Sequence, residues 1–442
     1  MNPAAACPSA GSVPVGPLQL WGGIECSMVR VGDHWRDLVQ ETGHQDRGAA
    51  DLAALASMGL RTLRYPVLWE RNQDSLGRAW QDRQMAELQR AGIEVIGGLM
   101  HHGSGPAGTD LLDAGLAEKL AVHARDAAAR YPGIGCWTPV NEPLTTARFS
   151  CLYGHWYPHR QDETAFFHAV VNQCRAALLA MRAIRAVQPD ARFIHTEDIG
   201  RVFSTPPVAE QARYENARRW LSLDLLCGHV RAQHPFRRAL EDRGVLPRHL
   251  DELQGGEAAP DLIGFNHYAT SDRYLDHRLD LYPAGLRGGN GRQAYADTEA
   301  MRVDLGPGCT GIAPRLRETW RRYQRPIAIT EAHLGCDDPW EQVRWLMEAW
   351  EAARQLRGEG ADIRAVTAWA LFGLVDWDTM LRERCGRYEP GAFDTSGTPP
   401  RPTVLAEAIT ALARRGRFEH TALDQPGWWR RDDRIHAALR RA

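Results

Sequence analysis

Two glutamates that follow short apolar segments raise the first chemical question about this sequence. Glu142 ends the segment CWTPVNE, and Glu331 ends the segment RPIAITE. Cleavage of a glycosidic bond requires such a pair, because one carboxyl group protonates the leaving oxygen and the other meets the positive charge on the sugar carbon. In a retaining reaction the two groups stand about 5–5.5 Å apart. The sequence therefore predicts paired carboxyl chemistry if the fold brings the two glutamates together.

Strand-like and helix-like segments alternate along the chain, a pattern typical of a parallel sheet covered by helices. The predicted strands are 18–25, 61–68, 93–100, 135–140, 191–196, 261–266, 326–330 and 365–372. Eight such repeats predict a single (β/α)8 barrel, in which residues at the carboxyl ends of strands form the active site. Glu142 and Glu331 follow the fourth and seventh predicted strands, which lie across the barrel mouth from each other.

The predicted domain organisation has three parts. A flexible lead-in covers 1–17, the barrel covers 18–415, and an appendage rich in arginine and tryptophan covers 416–442. We expect the appendage to pack on the barrel rather than to serve as an interaction segment, because its paired tryptophans favour burial. Two stretches are too long for routine connections, namely 267–310 after the sixth strand and 376–400 after the eighth. We expect them to form walls of a substrate cleft.

Composition excludes several classes of partner. A formal net charge of -2 over 442 residues argues against nucleic acid or an anionic membrane surface. No apolar run approaches the roughly 18 residues of a membrane span, and the N-terminus lacks the pattern of a signal peptide. The nine cysteines show no metal-binding spacing, which favours reduced thiols in the cytoplasm. Lys119, the one lysine, lies in a helical pattern, so Schiff-base chemistry at a strand end is not expected.

Motifs around the two glutamates resemble those of the glycoside hydrolase family 1 β-glycosidases over about 18–410. Trp137 to Pro143 is similar to the motif Trp-x-Thr-x-Asn-Glu-Pro, and Ile327 to Glu331 is similar to the segment that carries the nucleophile. The resemblance implies that Glu142 is the acid/base, Glu331 the nucleophile, and Asn141 a contact to the sugar 2-hydroxyl. Arg64 in LRYPVLW matches an arginine that keeps the nucleophile ionised.

The resemblance also implies a set of substrate-binding residues. His102 matches a histidine that holds the glycone, the sugar on the non-reducing side of the bond. Asn266 and Tyr268 in GFNHY match Asn-Tyr-Tyr, whose last tyrosine contacts the nucleophile. Trp369 and Trp377 keep the interval of eight between two tryptophans that form a sugar platform.

Several positions depart from the family pattern, and most of them belong to the pocket that binds the sugar. The glycone-binding glutamine of the family would align near Val29 and is therefore missing from this sequence. Glu25 or Arg30 is expected to act in its place. The family has a glutamate that binds the outer hydroxyls of the sugar. This sequence has Asp376 at that position, with a side chain one methylene shorter. Further departures are Gly103, Pro139, Ala332 and His333, of which His333 is a candidate substrate contact. The identity of the sugar stays open, as does the choice between hydrolysis and transglycosylation.

Three other interpretations compete with this hypothesis. The segment 103–108 fits the dinucleotide fingerprint GxGxxG, but Pro106 interrupts it and the surrounding chain fits a barrel strand. His101 and His102 are compatible with a metal-dependent barrel hydrolase, which would need further ligands such as His195. A non-catalytic carbohydrate-binding barrel is the remaining alternative. We predict a retaining hydrolase that acts on a small or oligosaccharide β-glycoside and requires no cofactor or metal.

Overall fold

The computed structural model describes residues 16–436 and residue 439. Its strands are β1 (Gln19–Gly23), β2 (Met28–Val31), β3 (His34–Asp37), β4 (Thr62–Pro66), β5 (Glu94–Gly98), β6 (Cys136–Thr138), β7 (Arg192–Asp198), β8 (Val202–Ser204), β9 (Leu262–Asn266), β10 (Arg273–Asp276), β11 (Arg287–Gly289), β12 (Ala294–Glu299), β13 (Ile327–Ala332), β14 (Ile363–Ala368), β15 (Leu374–Val375), β16 (Tyr388–Glu389), β17 (Phe393–Asp394) and β18 (Arg401–Pro402).

Helices separate most of these strands. They are α1 (Leu38–Glu41), α2 (His44–Ser57), α3 (Ser75–Arg90), α4 (Leu116–Arg130), α5 (Pro143–Ala147), α6 (Glu163–Arg185), α7 (Ala209–Arg218), α8 (Leu221–Leu226), α9 (Arg237–Asp242), α10 (Pro247–Leu253), α11 (Ile312–Tyr323), α12 (Pro339–Gly358) and α13 (Val404–Arg415). The alternation of strand and helix therefore follows the sequence pattern.

Eight of the strands close into one parallel barrel, in the order β1, β14, β13, β9, β7, β6, β5, β4. The predicted (β/α)8 fold is confirmed, and each of the eight predicted strands corresponds to one barrel strand. The last strand is shorter than predicted, since β14 ends at Ala368 instead of continuing to 372. Ala370, with φ at 54°, has left-handed backbone, which cannot continue an extended strand.

Burial explains why these segments form parallel strands. Every residue of β4 and of β13 is buried, as expected of strands that are covered by helices outside and by other strands inside the barrel. Inside the barrel, Trp21, Ile96, Ile194, Ala328 and Ala365 form an apolar cluster separate from the larger one between strands and helices. The barrel interior is therefore a packed core that holds the strand ends in fixed positions.

Polar side chains set the starts of several helices. Asp162 precedes α6 and accepts a hydrogen bond from the Ala165 amide at 2.7 Å, and Asp338 caps α12 through the Trp340 amide at 2.8 Å. Such caps satisfy amides that have no partner within the helix. Helix α6 ends at Arg185, before Pro189 as the sequence indicates.

The connections at the carboxyl ends of the barrel strands carry extra sheets. Strands β2 and β3 form a hairpin after β1. The predicted long stretch 267–310 contains β10, β11 and β12, which join β8 in a four-stranded sheet of order β11, β12, β10, β8. The second predicted stretch, 376–400, is tied down by the pairs β15–β16 and β17–β18. Both stretches are thus partly ordered into sheets.

The described part of the C-terminal tail lies against α12. Trp429 is buried and packs edge-on against Trp345, with ring centroids 4.9 Å apart. Its indole nitrogen donates to Glu348 at 2.6 Å. Residues 1–15 of the predicted lead-in, and 437, 438 and 440–442 of the predicted appendage, lie outside the described residues. Across residues 16–436, the helices are all too short or too polar to span a bilayer.

Candidate active site

The backbone around Glu142 is fixed by the two neighbouring barrel strands. The Asn141 amide donates to the Met100 carbonyl at 2.9 Å, and the Glu142 amide donates to the Thr196 carbonyl at 3.1 Å. Glu142 itself has a left-handed conformation with φ at 47°, directly before Pro143 begins α5. Such a conformation costs a non-glycine residue of the order of 1 kcal/mol and is typical of functional sites. The strand end therefore holds Glu142 in a backbone geometry that an ordinary loop would not keep.

Glu331 lies in β13 with both carboxylate oxygens occupied. Arg64 Nη1 donates to Oε1 at 2.9 Å, and the Tyr268 hydroxyl donates to Oε2. Arg64 Nη1 also donates to the Thr330 carbonyl at 2.6 Å, which fixes the guanidinium against β13. Because Glu331 is buried, its anionic form is stabilised mainly by the ion pair with Arg64 and the hydrogen bond from Tyr268.

Arg64 connects the two halves of the site. Its Nη2 donates to Asn141 Oδ1 at 2.9 Å, and its guanidinium lies 4.5 Å from the ring centroid of Trp369. Asn141 Oδ1 also accepts from Thr196 Oγ1 at 2.6 Å, and Asn141 Nδ2 lies 3.1 Å from His101 Nε2. These bonds orient the amide and leave one of its two N–H groups unspent.

Glu142 has its own set of neighbours. Asn266 Nδ2 donates to Glu142 Oε1 at 2.6 Å, while Asn266 Oδ1 accepts from Thr330 Oγ1 at 2.6 Å. His102 Nε2 lies 3.9 Å from Glu142 Oε2, and His102 Nδ1 lies 2.9 Å from Thr146 Oγ1. The structure therefore brings the predicted residues Asn266 and His102 to Glu142, and Arg64 and Tyr268 to Glu331.

The electrostatic environments of the two carboxyl groups differ. Burial and then the negative charge of Glu331 raise the pKa of Glu142 well above its usual value, and Asp198 adds to the effect. The pKa of Glu331 is also raised by burial, and Arg64 and the Tyr268 hydroxyl offset part of this rise. Of the two carboxyl groups, only Glu331 contacts the positive charge of Arg64, and this contact favours the anion on Glu331 over the anion on Glu142.

Glu25 occupies a third buried carboxyl position beside this pair. Its Oε1 accepts from the Ser27 amide at 2.8 Å and the Ser27 hydroxyl at 2.5 Å, and its Oε2 accepts from Trp369 Nε1 at 3.1 Å. Burial raises the pKa of Glu25. The other candidate, Arg30, lies in β2, and its guanidinium carbon is 4.0 Å from the ring centroid of Tyr157. Of the two candidates, the structure therefore places Glu25 next to the Trp369 platform.

Aromatic rings border His102 on the outer side. The ring of Trp156 lies 5.2 Å from His102, and that of Trp377 lies 5.7 Å from it. Trp377 Nε1 is buried and has no hydrogen-bond partner. Burial lowers the pKa of His102 to about 3, so its ring is neutral at neutral pH. His333, two residues after Glu331, is also buried, and burial lowers its pKa to about 4.

Asp376, predicted to contact sugar hydroxyls, has both carboxylate oxygens bonded within the protein. Its Oδ2 accepts from Arg36 Nη2 at 3.0 Å, and its Oδ1 accepts from the Arg387 amide at 2.7 Å. Its side chain is only 2% exposed. The carboxylate is thus engaged by the protein, and a sugar would have to compete with Arg36 for it.

Sequence reasoning missed several residues that orient the predicted ones. They are Arg36, Thr146, Trp156, Thr196 and Thr330. Thr196 and Thr330 lie inside predicted strands, and a threonine among buried apolar residues is a usable signal because its hydroxyl must find a partner. Arg36 lies in the β2–β3 hairpin and Trp156 in a loop, and the sequence pattern there gives no indication of the partner.

The histidines proposed for a metal-dependent alternative do not converge. Among residues 16–436, no group of three or more His, Cys, Asp or Glu side chains has the arrangement of a metal site. His195 is fully buried, and neither of its ring nitrogens has a partner. His101 is engaged with Asn141 and stacks on Trp369 at 5.5 Å. The ligand set that this alternative needs is therefore not assembled there.

Comparison with known proteins places this geometry among sugar hydrolases. The sequence model of glycosyl hydrolase family 1 matches residues 30–389. A 6-phospho-β-glucosidase of Dickeya chrysanthemi is 24% identical over 364 residues, which cover 74% of this chain and 75% of that protein. The aryl-phospho-β-D-glucosidase BglC of Bacillus subtilis is 25% identical over 399 residues, which cover 78% and 80% of the two chains. The structure of a family 1 β-glucosidase from Thermotoga maritima aligns with a TM-score of 0.71 at 16% identity, covering 92% of this chain and all of that one.

Proposed function

We propose that this chain, which belongs to glycosyl hydrolase family 1 and is a retaining β-glycoside hydrolase, uses Glu331 as its nucleophile and Glu142 as its acid/base. The observation that carries the assignment is the unequal environment of the two carboxyl groups. Arg64 at 2.9 Å and the Tyr268 hydroxyl bind Glu331, whereas Glu142 has an amide at 2.6 Å and no cation at such a distance. An ionised Glu331 is a nucleophile, and a protonated Glu142 is a general acid.

The reaction follows from these protonation states. A carboxylate oxygen of Glu331 attacks the anomeric carbon while Glu142 gives its proton to the departing glycosidic oxygen, so a covalent glycosyl ester forms and the aglycone leaves as an alcohol. Water then attacks the same carbon, Glu142 takes the proton of that water, and Glu331 leaves as a carboxylate. Two inversions retain the β configuration. If a sugar hydroxyl replaces water in the second step, the same residues perform transglycosylation.

The remaining contacts act on the sugar and on the two glutamates. We assign the unspent N–H of Asn141 to the 2-hydroxyl of the sugar, where contacts strengthen in the transition state. Asn266 orients Glu142, and Trp369 supplies the apolar platform for the ring. His102, Trp377 and Glu25 are the candidates for the other hydroxyls, whereas His333 stays a candidate contact beside the nucleophile.

We further propose that the enzyme works in the cytoplasm. The eight cysteines among the described residues are all free thiols, which a reducing compartment preserves. We also retain the proposal that nucleic acid is not a partner, because the formal net charge of -2 gives no basic surface excess.

Trapping of the covalent intermediate tests the assignment. The protein is incubated with a 2-deoxy-2-fluoro β-glycosyl fluoride series that varies the sugar, and the digested protein is analysed by mass spectrometry. We expect the added mass on the peptide that contains Glu331. A label on Glu142 would reverse the two roles. Absence of any label with every sugar, together with absence of turnover, would favour a non-catalytic binding barrel.

A further inference from the structure

The short helix α5 begins directly after Glu142, so the start of this helix sets the backbone of the acid/base. Glu142 occupies the N-cap position, where the side chain usually accepts a hydrogen bond from an amide of the first helical turn. The Glu142 side chain makes no such bond and accepts from Asn266 Nδ2 at 2.6 Å instead. The first amides of α5 must therefore find another acceptor.

Glu197 in β7 supplies that acceptor. Its Oε2 accepts from the Leu144 amide at 3.0 Å, and its Oε1 accepts from the Thr145 amide at 3.3 Å. The proline at the first helical position has no amide hydrogen, and the Thr146 amide donates to the Glu142 carbonyl at 2.8 Å. Every backbone N–H of the first turn of α5 thus has an acceptor, and two of these bonds depend on Glu197.

The surrounding elements hold the Glu197 carboxyl group in this position. Glu197 is fully buried, and Ser222 Oγ in α8 donates to its Oε2 at 2.7 Å. Burial raises the pKa of Glu197 to about 7, although the hydrogen bonds from Ser222 and the two amides lower it. A large share of the molecules therefore carries an ionised Glu197 at neutral pH, and an ionised acceptor strengthens the bonds to the amides.

The preceding residue of β7 acts on the same segment of chain. The Thr196 carbonyl accepts from the Glu142 amide at 3.1 Å, and Thr196 Oγ1 donates to Asn141 Oδ1 at 2.6 Å. Successive side chains of a strand point to opposite faces, so Thr196 reaches the residue before Glu142 while Glu197 reaches the amides that follow Pro143. Glu142 is therefore fixed from both directions along the chain.

Loss of the Glu197 carboxyl group would leave two buried amides without acceptors. Leu144 and Thr145 are 1% and 7% exposed, so water has little access to their amides. The amides can regain an acceptor if the first turn of α5 shifts or if the Glu142 side chain turns back onto its own helix, as N-cap residues usually do. Either change takes the Glu142 carboxyl group away from Asn266.

We propose that Glu197 is a positioning residue for the acid/base, which caps α5 in place of Glu142 and so keeps the Glu142 carboxyl group free for proton transfer. The proposal rests on the proposed function, because it takes Glu142 as the general acid. Glu197 is fully buried and acts through Glu142. Its loss should therefore impair proton donation to the leaving group and leave the attack by Glu331 nearly unchanged.

The test varies the leaving group of the substrate while the sugar stays the same. A 2,4-dinitrophenyl glycoside loses its aglycone without help from an acid, whereas a phenyl glycoside needs the proton. With Glu197→Gln, kcat/KM for the phenyl glycoside should fall about tenfold or more, and kcat/KM for the 2,4-dinitrophenyl glycoside should change by less than about threefold. Equal decreases for the two substrates would indicate a purely structural role and overturn the proposal, as would unchanged values for both.

Ser222→Ala is the second variant, and it keeps the proposal testable if Glu197→Gln does not fold. It removes one hydrogen bond to Glu197 and leaves both amides capped. We expect kcat/KM for the phenyl glycoside to fall about threefold, with no change for the 2,4-dinitrophenyl glycoside. A decrease that is the same for both leaving groups would contradict the proposal.

Glu341→Gln is the matched control. Glu341 is also a buried glutamate that accepts a hydrogen bond from a backbone amide, that of Trp428 at 3.0 Å, but it lies between α12 and the C-terminal tail. This variant should lower the stability measured by chemical denaturation and leave the ratio of the two kcat/KM values unchanged. The same change of ratio in Glu341→Gln and Glu197→Gln would mean that the effect does not depend on α5.

Failure of this proposal and failure of the proposed function give different results. Glu142→Ala should show the same selective loss for the phenyl glycoside, to a greater extent. If Glu142→Ala shows this loss and Glu197→Gln does not, the positioning role alone is wrong. If Glu142→Ala affects both substrates equally and the fluoro sugar does not label Glu331, the catalytic assignment is wrong, and the role of Glu197 is overturned with it.

Discussion

Two regions of the molecule are built in different ways. One is the set of strand ends that carry Glu142 and Glu331, and the other is the outer wall, the hydrophobic cluster that Val29, Leu38, Trp156 and Leu381 form in the connections between barrel strands. At the strand ends functional side chains are held by residues of other barrel strands, as Arg64 in β4 is held by the Thr330 carbonyl of β13 at 2.6 Å. In the outer wall the contacts join loops that are distant in sequence, as Arg36 joins Asp376 at 3.0 Å. The barrel therefore positions the two glutamates, whereas the arrangement of the loops depends on contacts between distant parts of the chain.

The largest expected effect is the loss of the nucleophile. Glu331→Ala should lower kcat by about 10⁴-fold or more, because it removes the carboxylate that forms the covalent ester. Added azide should restore activity with Glu331→Ala and give the α-glycosyl azide, identified by NMR of the product. Glu142→Ala is the companion variant, and with azide it should give the β-glycosyl azide. The same anomer from both variants would contradict the division of roles.

Removal of Arg36 tests the outer wall as a structural unit. Arg36→Met leaves Asp376 and Glu41 buried or half-buried without their cation, and we expect the free energy of unfolding to fall by about 3–5 kcal/mol. Chemical denaturation measures this change. Arg317→Met, which removes a pair with Glu359 on the surface, should cost less than about 1 kcal/mol. Equal losses in the two variants would mean that Arg36 does not hold the loops together.

Arg64 tests the strand-end region through the pH dependence of the reaction. Arg64 lowers the pKa of Glu331, so Arg64→Met should raise that pKa. Because Glu331 reacts as the anion, the acidic limb of the kcat/KM profile should move to higher pH, and kcat/KM at its optimum should fall by roughly 10²-fold. Arg64→Lys keeps a positive charge and should move the limb less. An unchanged acidic limb in Arg64→Met would show that Arg64 does not control the pKa of Glu331.

The smallest expected effect concerns Asp198 at the end of β7. Its negative charge raises the pKa of Glu142, so Asp198→Asn should lower that pKa. Glu142 must be protonated for the first step, and the basic limb of kcat/KM should therefore move to lower pH, by less than about one pH unit. Asp297→Asn, which removes a carboxylate paired with the half-buried Arg273, serves as the control and should not move the limb. A shift to higher pH would contradict the assigned sign.

Much of the strand-end region was predictable, because local pattern and strand order suffice there. Eight apolar segments predicted the barrel, and residues that directly follow strands must meet at one end of it. Arg64, Asn141 and Tyr268 were implied by the resemblance to the family, and the structure brings Arg64 and Tyr268 to Glu331 and Asn141 to Arg64. Thr196 and Thr330 could have been found by the same reasoning, since each is a polar residue in a buried strand.

The outer wall could not be predicted in this way. Asp376 was expected to contact sugar hydroxyls, but nothing in the sequence near Asp376 indicates that Arg36, 340 positions earlier, binds its carboxylate. Trp156 gives no periodic signal either, since it lies in a loop after the fourth strand. Contacts between loops depend on where the barrel places the loop ends, and that placement is a property of the whole fold.

The sequence by itself determined the barrel, the pair Glu142 and Glu331, and the type of reaction, because strand periodicity and residues at strand ends are local in the chain. The resemblance to the family implied the roles of the two glutamates, and the tertiary structure adds a physical reason for them, since Arg64 and Tyr268 reach Glu331 from other strands. The tertiary structure also brought Val29, Leu38, Trp156 and Leu381, which are distant in sequence, into one hydrophobic cluster. Burial and charge at a site are sums over neighbours from the whole chain, and a linear pattern does not contain them.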